Sequence, residues 1–131
     1  MFYIHTTDDG RNPPFEYLPC SAIAPKIGQA MTLNTSGQLA LATGATKPTY
    51  ISMCETATAV EAGTVIPVIR VAPDIIFETT ASAAITSIKP GNKLTIHTDA
   101  SQVTATTTDG VAEVVETDGT AAGSKVRVRF V

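Results

Sequence analysis

From Met31 to Leu41 apolar and polar side chains alternate with the period of a half-buried hairpin. Met31 and Leu33 point one way. The turn Thr35-Ser36-Gly37 follows, and Leu39 and Leu41 return on the same face. The pattern recurs with Leu94, Ile96, Val103 and Ala105 around Thr98-Asp99-Ala100-Ser101. A third strand is expected near Tyr50–Cys54 and again near Val111–Val115. A fourth is expected at Val65–Val71 and again at Val126–Val131. No amphipathic stretch of three or more helical turns competes with these strands, although a short helical turn near Ser82–Ile85 fits the pattern.

The blocks occur twice in the same order. Gly28 matches Gly91, Met31-Thr32-Leu33 matches Leu94-Thr95-Ile96, Glu55-Thr56 matches Glu116-Thr117, and Gly63 matches Gly123. The offset drifts from 63 residues between Gly28 and Gly91 to 60 between Gly63 and Gly123, so small loop changes are implied. A unit of this size cannot bury its apolar face alone, whereas two copies facing one another can. The expected fold is therefore all-β: a compact β-barrel or sandwich built from two similar β-repeats, about 28–71 and 91–131, joined by a linking strand within 72–90. Residues 1–20 read differently. Asp8-Asp9-Gly10, Pro13-Pro14 and Pro19 are turn and extended-chain signals, and Phe2, Tyr3, Phe15 and Tyr17 lie among them. They predict an extended N-terminal arm that lies on a surface, ahead of a single β domain spanning 21–131.

The two final strands differ. In the second copy Lys125, Arg127 and Arg129 alternate with Val126 and Val128, as for a face in water. In the first copy the same alternate positions hold Val65, Pro67 and Ile69. That apolar face needs a cover, and Pro67, which lacks a ladder donor, predicts an edge strand or a bulge. Tyr3, Phe15, Tyr17, Val65 and Ile69 are the candidate subunit or partner contacts.

Composition narrows the function. At 131 residues, 44% apolar and 16% charged, the chain is long enough and apolar enough for one folded domain. A net charge of −3 without a basic patch argues against nucleic acid and anionic membrane as partners. The start lacks the basic and apolar regions of a signal peptide, and no apolar run reaches the ~20 residues of a spanning helix. Manufacture in a cytoplasm is expected.

Reactive chemistry is sparse. Cys20 and Cys54 are too few for a disulfide framework, and Cys54 aligns with Val115, so a small packed side chain is expected there. His97 aligns with Asn34 and reads as a solvent-facing residue. His5 with Asp8 and Asp9 lacks a third ligand for a cation. Asp99 and Asp109-Gly110 are turn chemistry. Glu55 and Glu116 are matching carboxylates of the kind glycoside hydrolysis uses, but no aromatic cleft accompanies them. No phosphate-binding, dinucleotide or hydrolase motif occurs. The expectation is no catalytic residue, no cofactor and no metal.

Seven segments carry a family resemblance: "FEYLP" (15–19), "IGQAMTL" (27–33), "KPTYISMCE" (47–55), "GTVIPVIRV" (63–71), "PDIIFET" (73–79), "PGNKLTI" (90–96) and "GSKVRVRF" (123–130). In their order the chain resembles the small head decoration, or cement, proteins of tailed bacteriophages. The resemblance covers roughly 15–131 and contains no chemical signature. It implies a non-enzymatic protein on the capsid exterior of the virion that stabilises the head. The implied partners are the major capsid protein and further copies of itself, as a trimer. It carries over no residue-level contact, and "TTDDGRNPP" matches no part of the pattern. A β-rich adhesion or carbohydrate-binding module and, less favoured, a small hydrolase are the alternatives.

Overall fold

The computed structural model describes residues 1–131, and it is all-β. Ten strands form two sheets: β1 (Tyr3–Thr7), β2 (Phe15–Cys20), β3 (Ala30–Leu33), β4 (Leu39–Leu41), β5 (Tyr50–Ser52), β6 (Thr64–Arg70), β7 (Ile75–Thr80), β8 (Lys93–Leu94), β9 (Ala112–Thr117) and β10 (Lys125–Phe130). A closed barrel runs β2-β4-β3-β5-β6, and an open sheet runs β1-β7-β10-β9-β8. No helix forms at 82–85; residues 82 and 83 are bends, and the turn follows at 86–87.

The barrel interior holds Cys20, Met31, Leu39, Tyr50, Ile66 and Val68. A larger cluster of 19 buried residues joins the inner face of the open sheet, with Phe77, Val114, Val126, Val128 and Phe130, to Ala30, Ile51 and Ile69 of the barrel strands. Phe2 anchors this joint edge-on against Phe130, with ring centroids 5.3 Å apart.

The two halves share a hydrogen-bonding plan. Cys20 pairs in parallel with Leu39, and Ala81 pairs in parallel with Val103. The Gly63 N–H donates to the Cys20 carbonyl at 2.8 Å, and the Gly123 N–H donates to the Ala81 carbonyl at 2.8 Å. The Lys26 N–H donates to Gln29 Oε1, and the Lys89 N–H donates to Asn92 Oδ1, both at 2.8 Å. Isolated bridges from Ile96 to Val103 and from Val103 to Ala81 bring the open sheet most of the way to the ring that the first half closes.

This plan corrects two expectations. Residues 1–20 are not an arm laid on the domain. β1 pairs with β7, and β2 pairs along its whole length with β6, so both are woven into the sheets. An extended segment rich in apolar side chains satisfies its backbone best by pairing, and here two open strand edges accept it. A strand does form within 72–90: β7 lies between β1 and β10 and pairs with β10 as β2 pairs with β6. The matching bonds run from Cys20 to Gly63 in one half and from Ala81 to Gly123 in the other. Pro67 is also differently placed, since β6 is an interior strand between β2 and β5. The Met53 N–H donates to the Pro67 carbonyl at 3.0 Å, on the side where β5 has already ended at Ser52. The missing proline N–H faces that same side, so only the reciprocal bond to the Met53 carbonyl, just past the end of β5, is lost.

Gly28 and Gly91 have φ of 82° and 92°, values that favour glycine. Their surroundings differ. A Cβ at Gly28 would meet the Met1 side chain and lie 3.0 Å from the Phe2 backbone N and O, whereas a Cβ at Gly91 meets open space. Gly91→Ala should therefore cost about 1 kcal/mol of backbone strain. Gly28→Ala should cost about 2–4 kcal/mol, because Phe2 is the buried anchor and its N–H bonds the Gly28 carbonyl at 2.8 Å. Urea titration of the two variants checks this, and equal midpoints would refute it.

Candidate interaction surface

β2 and β6 pair in register: Phe15 with Ile69, Tyr17 with Pro67 and Pro19 with Val65. Directly opposed residues share a face, so these six side chains form one uncharged stripe on the outside of the barrel. Along it Tyr17 is 65% exposed, Val65 59% and Phe15 54%, while Pro19 and Pro67 are half-buried. At one end the stripe runs into a groove of about 290 Å³ lined by Phe2, Tyr3, Phe15, Ile27, Met53 and Ile69 among others. Tyr3 and Ile27 are 43% and 44% exposed on its walls.

Of the five candidate contact residues, four are exposed and one is buried. Tyr3, Phe15, Tyr17 and Val65 are open. Ile69 is 2% exposed and belongs to the main core. It cannot serve as an outward contact, because the open sheet and the first residues of the chain cover that end of β6. Ile27 and Met53 complete the groove from outside the strands, Met53 because β5 ends at Ser52, two residues short of the strand expected to run to Cys54. Phe15 and Tyr17 widen the apolar face of β6 rather than cover it.

Charge flanks this surface but does not enter it. Glu16 accepts from Arg70 Nε and Nη2, both at 2.9 Å, and the Arg70 guanidinium lies 5.0 Å from the Tyr50 ring centroid. The hydrogen bonds to Glu16 raise the Arg70 pKa above its ordinary value, so this cation is permanent. A polar recess of about 360 Å³ beside this pair is lined by Asp9, Arg11 and Asp74 among others.

The outer face of the open sheet is the charged counterpart. Tyr3, Glu78, Arg127 and Glu116 form a row across β1, β7, β10 and β9. The Tyr3 hydroxyl donates to Glu78, and Arg127 Nη2 lies 3.1 Å from Glu78 Oε1. Arg127 also engages Glu116 and Asp118, the latter at 3.4 Å.

The residues singled out for reactivity sit apart. Burial raises the Cys20 thiol pKa, with the neighbouring Cys54 adding to the shift, and Cys20 Sγ lies 3.9 Å from the Leu39 carbonyl inside the barrel. A thiol held protonated there is a poor nucleophile. Cys54 packs against the barrel core. His97 opens a turn through its backbone, which donates to the Gln102 carbonyl at 2.8 Å, and His5 is exposed at the β1 bulge. Asp99 caps its own turn, with Oδ1 accepting from the Ser101 N–H at 2.8 Å. Glu116 is engaged by Arg127, while Glu55 is exposed and forms no ion pair. No three His, Cys, Asp or Glu residues lie close enough together to hold a metal ion.

No family model matches the chain, and no curated protein matches it. Among solved structures the chain is similar to the head fibre gp8.5 N base of bacteriophage phi29, at 17% sequence identity and a TM-score of 0.48, with 90% of this chain and 95% of that chain covered.

Proposed function

We propose that the protein is a non-enzymatic structural protein of a tailed-phage head, a decoration protein that binds the outer surface of the capsid and stabilises it. In this reading the chain is a duplicated β unit, its partners are the major capsid protein and further copies of itself, and its place is the capsid exterior of the virion. The observation that carries the reading is the distribution of surface. Phe15, Tyr17, Pro19, Val65 and Pro67 form one continuous apolar face on a hydrogen-bonded scaffold whose other outward sheet is covered by charge pairs. Such a face suits lasting assembly contacts. The order of sequence blocks supplies the class of assembly. A small hydrolase is disfavoured, because Glu55 and Glu116 do not converge on a shared groove.

Co-sedimentation with expanded, empty phage heads tests the proposal. The expected result is saturable binding at a fixed ratio to the capsid protein, with heads that withstand heating or low salt better than bare heads. Absence of binding to expanded heads of the phage that encodes the protein would remove it.

A further inference from the structure

We infer that the β2–β6 face is a self-association surface, on which two copies of this chain meet face to face about a two-fold axis. The inference rests on the reading of that face as an assembly surface and names its occupant. Area is the first argument. At roughly 200 Å² per aromatic side chain, the exposed shares of Tyr3, Phe15 and Tyr17 leave about 300 Å² open. With Val65, Ile27, Pro19 and Pro67 the apolar surface reaches roughly 500 Å². A stable interface takes about 800 Å² from each partner, somewhat more than half of it apolar. The face meets that need alone, with its polar rim making up the difference.

Charge is the second argument. The chain carries a net −3, so two copies repel over most orientations. The stripe itself holds no charge, Glu16 and Arg70 beside it neutralise one another, and Glu78, which the Tyr3 hydroxyl reaches at the edge, is paired with Arg127. A second copy offers the same uncharged surface in return. The charged row on the outer face of the open sheet could only desolvate ions against it. A single self-complementary face closes after two copies, because each copy uses the same patch. The three-fold assembly that the family resemblance implies would need two different faces that fit one another. Two sheets meeting in this way pack about 10 Å apart, and an axis through the middle of the stripe sets Tyr17 and Val65 of the two copies against each other.

The experiment is sedimentation velocity on the full chain from low to high micromolar concentration, with Tyr17→Glu and Val65→Lys made together. The wild type should sediment as a dimer. The double variant should sediment as a folded monomer with an unchanged circular dichroism spectrum, since both positions are exposed. A second measurement does not depend on disruption. Val65→Cys, in a Cys54→Ala background, should form a covalent dimer with a flexible bis-maleimide that spans the gap between the two sheets, and Asp109→Cys in the same background should not. A monomeric wild type at high micromolar concentration would overturn the inference, as would a trimer or a double variant that remains dimeric. Head binding is scored separately. A monomer that binds heads removes only the dimer, and a dimer that ignores heads removes only the capsid reading.

Discussion

Ile69→Arg should abolish folding, while Val65→Lys, four residues earlier on the same face of the same strand, should leave the unfolding midpoint of the monomer within about 0.5 kcal/mol of the original. Ile69 is 2% exposed and packs in the main cluster with Phe2, Ile51 and Phe77. Its replacement forfeits about 2–3 kcal/mol of apolar burial and places a cation where no carboxylate waits, a further cost of several kcal/mol. Together these consume most of the roughly 5–15 kcal/mol that holds a domain of this kind. The matching residue of the other half, Arg129, is tolerated because its side chain is 40% exposed and lies 3.8 Å from Glu113. Circular dichroism and urea titration decide the matter. A folded Ile69→Arg with an intact midpoint would show that the cover over this end of β6 is loose. Ile69→Val, costing about 1 kcal/mol, controls for simple loss of volume.

That contrast shows what alternation along a strand reveals. In β6 and β10 it identified the inward residues Ile66, Val68, Val126 and Val128. It assigned Val65, Pro67 and Ile69 to one outward face, as the pairing with β2 shows. It could not say that the cover over this face changes along its length, because the covering residues come from Phe2 and from the second sheet, far away in sequence. The extent of the shared plan was hidden for a related reason. β2 and β7 occupy matching places, yet Tyr17 faces outward where Glu78 does in the other half. The outward faces diverged, one apolar and one charged, and these are the bulkier residues that an eye for repeats compares. The surviving signal was small and buried. Cys20 and Ala81 lie 61 residues apart, nearly the spacing of Gly63 and Gly123, whose N–H groups they accept. Of the exposed apolar surface, Tyr3, Phe15, Tyr17 and Val65 were legible as large apolar side chains in segments with turn and strand signals. The groove was not, because Ile27 and Met53 reach it from loops.

Arg127→Ala should be the most damaging substitution on the charged face, at about 2–4 kcal/mol. Arg127 and Glu78 are only 19% and 8% exposed, and the guanidinium is the cation shared by Glu78, Glu116 and Asp118. Removing it leaves a buried carboxylate supported only by the Tyr3 hydroxyl, with two more carboxylates nearby and no counter-charge. Breaking a buried pair from one side costs more than the pair itself contributes, since the remaining ion stays desolvated. Glu78→Gln in the Arg127→Ala background should therefore recover about half of the loss, and the double-mutant cycle should give a coupling above about 1 kcal/mol. Arg70→Ala is the contrasting case. Its side chain and that of Glu16 are 56% and 33% exposed, so water replaces the lost partner and the midpoint should stay nearly in place. Thermal and urea unfolding of the four variants, read against the wild type, measure all of these differences. Equal losses for Arg127→Ala and Arg70→Ala would mean that the Glu78 carboxylate is hydrated in solution and that the row across β1, β7, β10 and β9 contributes no more than an ordinary surface pair.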